Sequence, residues 1–244
     1  MDWFYILLFF VAFLYASVGH GGASGYLALM VLYGVAPQAM KPTALVLNLF
    51  VSLTSFLQYY TGNHFKKKLF LSVAIGSIPM AFIGGTINLD DYLYKQILGG
   101  LLFFPIIKFF FFKSADHDKL KDSNNYIALV IGAIVGLLSG MIGIGGGIIL
   151  SPILILLKWT NQKQTAAISA AFIFVNSIAG LGGMLTQGIV FNNHMWIYVI
   201  VAFSGGILGA YVGARKLNQE GLKYVLASVL ALASYKLLFT IPKL

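Results

Sequence analysis

One hydrophilic run, Lys113 to Asn125, is the only sustained break in a chain that is otherwise a succession of apolar segments. The segments fall at about 3–18, 23–34, 43–60, 69–87, 92–112, 126–142, 148–157, 166–185, 195–214 and 221–240. Charged residues are 9% of the 244 and hydrophobic ones 59%, where a soluble domain carries roughly 25% charged residues. Such a chain lacks the polar surface needed to face water, so its solvent is the bilayer. The runs are continuous rather than alternating, which selects helices over a β-barrel. Nearly every residue lies in a span, leaving no soluble catalytic domain. Cysteine is absent, so disulfide and thiol chemistry are excluded. The net charge of +9 is mostly lysine between spans. That distribution matches topology signals and contact with anionic lipid, not nucleic-acid binding. The start, Met1-Asp2-Trp3, lacks the basic region of a cleavable signal, so the first apolar segment is expected to be retained.

Two apolar regions are opened by the same device. Gly19-His20-Gly21-Gly22-Ala23 separates segments 3–18 and 23–34, and Gly143-Ile144-Gly145-Gly146-Gly147 separates 126–142 and 148–157. The second loop lies 124 residues after the first. Gly76, Met80 and Gly84 likewise align with Gly205, Gly209 and Gly213 at an offset of 129. Small residues four apart form a close-packing ridge, a structural role. The chain therefore reads as two membrane repeats, 1–112 and 126–244, joined by the linker 113–125.

A spanning helix needs about 20 residues, and several glycine-loop segments are shorter. Lysine and arginine counts decide whether each broken pair crosses or turns back. If each crosses once, seven basic residues fall on either side, which fixes no orientation. If both are re-entrant hairpins, eleven share one side (Lys66, Lys67, Lys68, Lys113, Lys119, Lys121, Lys158, Lys163, Arg215, Lys216, Lys223) and three the other (Lys41, Lys95, Lys243). The positive-inside rule selects the hairpins. The linker is then cytoplasmic and both termini lie outside. The expected fold is an all-α polytopic membrane protein. Each repeat has a glycine-loop broken helix pair plus three transmembrane helices. An odd number of crossings per half makes the repeats inverted, as in many secondary transporters.

At these residues the chain resembles the sulfite exporter TauE/SafE family of bacterial membrane permeases. The likeness covers nearly the whole length and is strongest at Ser139-Gly140-Met141-Ile142-Gly143-Ile144-Gly145-Gly146-Gly147 and at Gln164-Thr165-Ala166-Ala167-Ile168-Ser169. The first loop departs, with His20 between glycines and Ala23 opposite Gly147. The resemblance implies a bacterial inner-membrane permease for small sulfur-containing or organic anions, such as sulfite, thiosulfate, sulfonates or sulfoacetate. It fixes neither direction of transport nor oligomeric state, and it implies no cofactor.

The glycine loops, Gly19, Gly21, Gly22, Gly143, Gly145, Gly146 and Gly147, are the leading candidates for an anion site. Freed N–H groups and the partial positive charge of a half-helix N-terminus would face the substrate. Tight turns packed on neighbours are the competing reading. Ser24 follows the first loop. Asn48, Ser52 and Ser55 share one helix face, as do Ser169 and Asn176. Their amides and hydroxyls suit either an anion or interhelical hydrogen bonds. His20 is the one ionisable residue expected deep in the membrane. It either takes a proton coupled to the anion or donates one neutral hydrogen bond. Asp90, Asp91 and Glu220 lie near segment ends, which leaves no carboxylate cluster for a metal and no carboxylate proton relay. Trp3, Trp159 and Trp196 are expected as interfacial anchors.

The proposed mechanism holds the anion between the two loops, by the half-helix N-termini and by Asn48 and Asn176, while one repeat rocks against the other. Two rivals stand beside it. An anion channel would use the same loops. A rhomboid-like intramembrane serine protease would use the string Gly22-Ala23-Ser24-Gly25, but the second half carries Ile148 opposite Ser24, and duplication is unexplained for a protease.

Overall fold

A computed structural model describes residues 2–111, 120–189 and 191–215. All regular structure there is helical: α1 (Asp2–Ser17), α2 (Ala23–Leu32), α3 (Pro37–Thr61), α4 (Lys67–Thr86), α5 (Asp91–Phe111), α6 (Asn125–Ile142), α7 (Gly147–Leu156), α8 (Gln162–Leu185) and α9 (Met195–Arg215). Five of these, α3, α4, α6, α8 and α9, are long and apolar enough to cross a membrane. The expected segment 221–240 and most of the 113–125 linker lie outside the described residues.

Local sequence sets the helix ends. Asn124 accepts from the N–H groups of Tyr126 and Ile127, which starts α6. Asn161 and Gln164 satisfy each other's backbone donors in a capping box at the start of α8. The short helices start differently. Gly22 (φ 96°) precedes α2 and Gly146 (φ 76°) precedes α7. This left-handed backbone is open to glycine and strained for most other residues.

Both broken pairs turn back on themselves. Phe4, near the start of α1, packs its ring 5.1 Å from that of Tyr33, just past α2. The Lys121 N–H, ahead of α6, donates to the Lys158 carbonyl, just past α7, at 2.8 Å. Each pair is thus a hairpin whose ends meet. The ends of the second hairpin lie beside the α3–α4 turn. There the Lys66 ammonium donates to the Trp159 carbonyl at 2.9 Å. At the same place burial and the positive charge of Lys163 lower the His64 pKa. The ends of the first hairpin lie at the other end of the bundle, where Phe4 packs 4.8 Å from Tyr198 of α9.

The expected small-residue ridges form the closest helix contacts. A Cβ at Gly205, Gly209 or Gly213 of α9 would overlap the carbonyl oxygens of Phe9, Phe13 and Ser17 of α1. Gly76 and Gly84 of α4 sit in the same way on the carbonyls of Leu129 and Leu137 of α6, and a facing ridge that the repeat spacing did not mark, Gly132, Gly136 and Gly140 of α6, meets the carbonyls of Val73, Ser77 and Ala81 of α4. Helix α4 therefore packs most closely on α6 of the other half, and α9 on α1. Helices α3 and α8 lie against each other in the middle. Outside this core the lateral surface is apolar: Ile75 and Phe82 of α4, Val130 and Ile134 of α6, and Ile200 and Leu208 of α9 are exposed. That is the surface a bilayer solvates. Trp3 and Trp196 are exposed near helix ends, as anchors should be. Trp159 is not: it is 5% exposed and part of the core. The hairpin return folds it inward, where its carbonyl receives Lys66.

Candidate functional site

Each hairpin carries its glycine loop past the middle of the bundle. The tip of the first reaches the start of α8, where Gly19 (φ 77°) leaves no room for a Cβ against Ala166. The tip of the second reaches the start of α3, where a Cβ on Gly143 would lie 3.1 Å from Lys41 Cα. Between the tips, the two loops approach a common point on α3 and α8.

That point is Asn48, fully buried on α3. A Cβ on Gly21 would lie 2.5 Å from its Oδ1, and one on Gly145 would lie 2.6 Å from its Nδ2. The Asn48 oxygen accepts from the Ala23 N–H at 3.1 Å, so it caps α2 from another helix. Its amide nitrogen faces the Ile144 carbonyl and Ser177 Oγ, both at 3.5 Å, the outer limit of a hydrogen bond. One carboxamide thus bridges the loops of both halves. On α8 the matching place is held by Ile173, whose Cγ2 lies 2.9 Å from the Gly21 position and 2.8 Å from the Gly145 position. Gly147 also packs on Ile173. Gly22 and Gly146 are covered by Tyr26 and Phe172 respectively.

A second cluster joins the halves at His20. The Val18 carbonyl can only accept, so Nδ1 of His20, 3.0 Å away, carries a hydrogen. Nε2 lies 2.8 Å from Ser151 Oγ of α7. That hydroxyl also lies 2.8 Å from Ser169 Oγ of α8 and 2.7 Å from the Gly147 carbonyl. Ser151 has one hydrogen to give. With His20 neutral, Ser151 donates to Nε2 and Ser169 donates to Ser151. With His20 cationic, Nε2–H donates to Ser151, whose own hydrogen turns to Gly147 or Ser169. The same heavy-atom positions satisfy both charge states.

The remaining candidates divide. Ser169 joins the His20 cluster. Ser24 donates its hydroxyl hydrogen to Tyr15 Oη at 2.8 Å, so its proton is aimed at a phenol and not at a base. Asn176 directs its amide N–H back to the Phe172 carbonyl at 2.8 Å, and its Oδ1 is buried without a hydrogen-bond partner. Ser52 Oγ and Ser55 Oγ are buried and unpartnered as well. Buried polar atoms of this kind are rare and costly, and here they mark polar ground on the two central helices. Sequence reasoning did not single out Ser151, Ser177 or Tyr15. Ser151 had one usable signal, a hydroxyl one helical turn into the second short helix. Among the described residues no group of three acidic, histidine or cysteine side chains is placed to hold a metal ion.

Comparison with known proteins gives the same outline. Residues 4–237 match the family model described as sulfite exporter TauE/SafE. A probable membrane transporter protein of Sinorhizobium fredii is 35% identical over 240 residues, covering 96% of this chain and 96% of that protein. Similar proteins described in the same words occur in Methanocaldococcus jannaschii (28% identity, 92% of this chain and 90% of that one) and in Bacillus subtilis (26%, 96% and 98%). No solved structure is a significant match.

Proposed function

The chain belongs to the sulfite exporter TauE/SafE family, and from that premise we propose that it is a secondary transporter of small anions. The substrate class is sulfur oxyanions or organosulfonates such as sulfite, thiosulfate or sulfoacetate. The repeats 1–112 and 126–244 are inverted, and the lysine-rich end of the bundle faces the cytoplasm of a bacterial inner membrane. The carrying observation is that the glycine loops of both halves converge on one buried carboxamide, Asn48. Two half-helices, α2 and α7, start at this point, and their N-terminal ends favour negative charge.

In this conformation Asn48 Oδ1 stands where an anion's oxygen would accept from α2. A substrate reaching the loops displaces that oxygen, and Asn48 is then free to donate through its amide. Access alternates as the two ends of the bundle open in turn. His20, with Ser151 and Ser169, is the site for a coupling proton, since that cluster holds either charge state without rearrangement. The direction of the Ser24 hydrogen bond favours transport over the protease reading.

The test is flux into proteoliposomes of sulfite, thiosulfate, sulfoacetate, taurine and acetate, with and without a pH gradient. Saturable flux of one sulfur anion is the expected result. Flux that rises linearly with concentration would replace the carrier by a channel, and no flux of any of the five would sink the substrate class.

A further inference from the structure

A cavity of about 340 Å³ opens at the end of the bundle opposite the lysine-rich one. Its polar lining comes from Gln38 and Lys41 of α3, Asn88 and Asp91 around the α4–α5 turn, and Gln187 after α8. Lys41 and Asp91 are its charged residues among those described. They sit at different depths. Asp91 is exposed and accepts from Gln38 Nε2 at 3.4 Å, so its carboxylate belongs to the rim. Lys41 is half-buried, with its ammonium 4.6 Å from the centroid of the Tyr94 ring. The Tyr94 hydroxyl in turn donates to the Ile142 carbonyl at 3.2 Å, at the tip of the second hairpin. The Lys41 backbone packs directly on Gly143, the first glycine of that loop.

Position and chemistry therefore converge on one residue. The cavity carries its negative charge at the rim and its positive charge deeper in, and Lys41, which lines it, packs its backbone on Gly143 at the hairpin tip that leads to the glycine loops. Gln38, Asn88 and Gln187 add neutral amide donors around the cation, which suits an oxyanion with several acceptor oxygens. An ammonium held over an aromatic face has a defined position. Between low-dielectric walls, such a charge raises the local anion concentration.

We infer that this cavity is an entry site for the transported anion, anchored by Lys41 and opposed at its rim by Asp91. The inference rests on the anion-transporter reading above. It assigns Lys41 a binding role beyond its contribution to the charge balance of the loops, and it makes the two charges act in opposite directions.

Initial rates of proteoliposome uptake of radiolabelled sulfite, thiosulfate and sulfoacetate test it, at low and high salt. The expected result is a KM raised about five- to tenfold by Lys41→Gln and lowered about two- to threefold by Asp91→Asn at low salt. The effect of the exposed Asp91 should shrink toward none at about 0.5 M salt, and that of the half-buried Lys41 should fall but persist in part, because partly buried charges are screened less. Lys41→Arg, which keeps the charge, should stay within about twofold of wild type. A structural role for Lys41 would move yield and kcat with no salt dependence and no opposite response at Asp91. Wild-type saturation with unchanged KM in Lys41→Gln and Asp91→Asn would overturn the entry site and leave the transporter reading standing. Absence of saturable flux in wild type would overturn both. If Lys41→Gln fails to fold, the exposed Asp91→Asn and its salt dependence carry the decision.

Discussion

Asn48→Ala should separate the two glycine loops energetically, and its cost follows from three contacts. The substitution removes the oxygen that accepts from the Ala23 N–H at 3.1 Å. A buried N–H left without an acceptor costs about 1–3 kcal/mol. The two 3.5 Å contacts to Ile144 and Ser177 sit at the edge of hydrogen bonding and contribute little each. Three heavy atoms vanish from a fully buried place. The void, taken as ~30–40 Å³, adds about 1 kcal/mol at ~24 cal/mol per Å³. The total is about 2–4 kcal/mol, which by the scaling for chains of this size lowers Tm by about 5–15 °C. Thermal unfolding in a mild detergent measures it. Asn48→Asp sharpens the test. A protonated carboxyl offers the acceptor and the donor of the carboxamide, while the ionised form offers acceptors only and faces the Ile144 carbonyl. Asn48→Asp should therefore melt closer to wild type at acidic pH than at alkaline pH. An Asn48→Ala protein that melts within about 2 °C of wild type would refute the bridge.

Three further outcomes can be measured directly. Ser151→Ala removes the partner of His20 Nε2, so the pH profile of flux between about 5 and 8 should move by roughly half a unit or more, and His20→Gln should flatten it. Tyr15 and Tyr26, the other titratable groups on α1 and α2 near the loop, are phenols, which do not ionise in that range; a profile unchanged by both substitutions would remove the proton from His20. Gly209→Ala places a methyl into the Phe13 carbonyl and should destabilise by about 1–3 kcal/mol. Gly100→Ala, with nothing within 4 Å of its Cβ, should be neutral or slightly stabilising in the same melts. Cysteines placed at positions 66 and 163, in a chain with none of its own, should react with an impermeant maleimide from the same side; reaction from opposite sides would contradict the hairpins.

The sequence shows some of this architecture plainly and hides the rest for a physical reason. Helix positions followed from apolar runs, and the expected starts and ends agree with the structure to within a few residues at most helices. The hairpins followed from lysine placement, because charge is excluded from the bilayer wherever the chain turns. The Gly76 and Gly205 ridges followed from their four-residue spacing. What stayed hidden depends on contacts between distant positions. His20 and Ser151 are 131 residues apart, and no periodicity links them. Asn48 looked like one polar residue on a helix face; that it touches both loops depends on how far each hairpin penetrates. Asn176 looked equivalent to it, yet the α8 side chains that reach the loops and Asn48 are Ile173 and Ser177. Trp159 looked interfacial because it ends a segment, and the hairpin return buries it.

Helix packing also carries an expectation of which bodies would move in transport, and they differ from the two sequence halves. The closest contacts pair α4 with α6 and α9 with α1, glycine against backbone carbonyl. Rocking one half against the other would pull both ridges apart, and close backbone packing is what holds helices together in lipid. The softer boundary lies elsewhere. Helices α1 and α9 interlock glycine against carbonyl, as does α4 with α6 and α8, whereas α3 meets both sets through side chains, Val51 on Gly206 of α9 and Leu45 on Gly180 of α8. Taken with α1 and α9, α3 meets the α4–α6–α8 group along α8, where Leu45 faces Gly180 at 3.3 Å from the Cβ position with no carbonyl interlock between the two helices, and the tip of the first hairpin rests on α8 at Ala166. We therefore expect alternating access to move these exchanged groups, each with its own hairpin, past one another along α3 and α8. Cross-linking distinguishes the two motions. Cysteines at positions 72 and 125, where Ser72 Oγ lies 3.3 Å from Asn125 Oδ1, tie α4 to α6 and should leave flux intact once oxidised. Cysteines at 45 and 180 tie the groups together and should stop flux reversibly with reductant. The opposite pattern, a block at 72–125 and free transport at 45–180, would mean that the sequence halves themselves are the moving bodies and that the ridges slide or separate in every cycle.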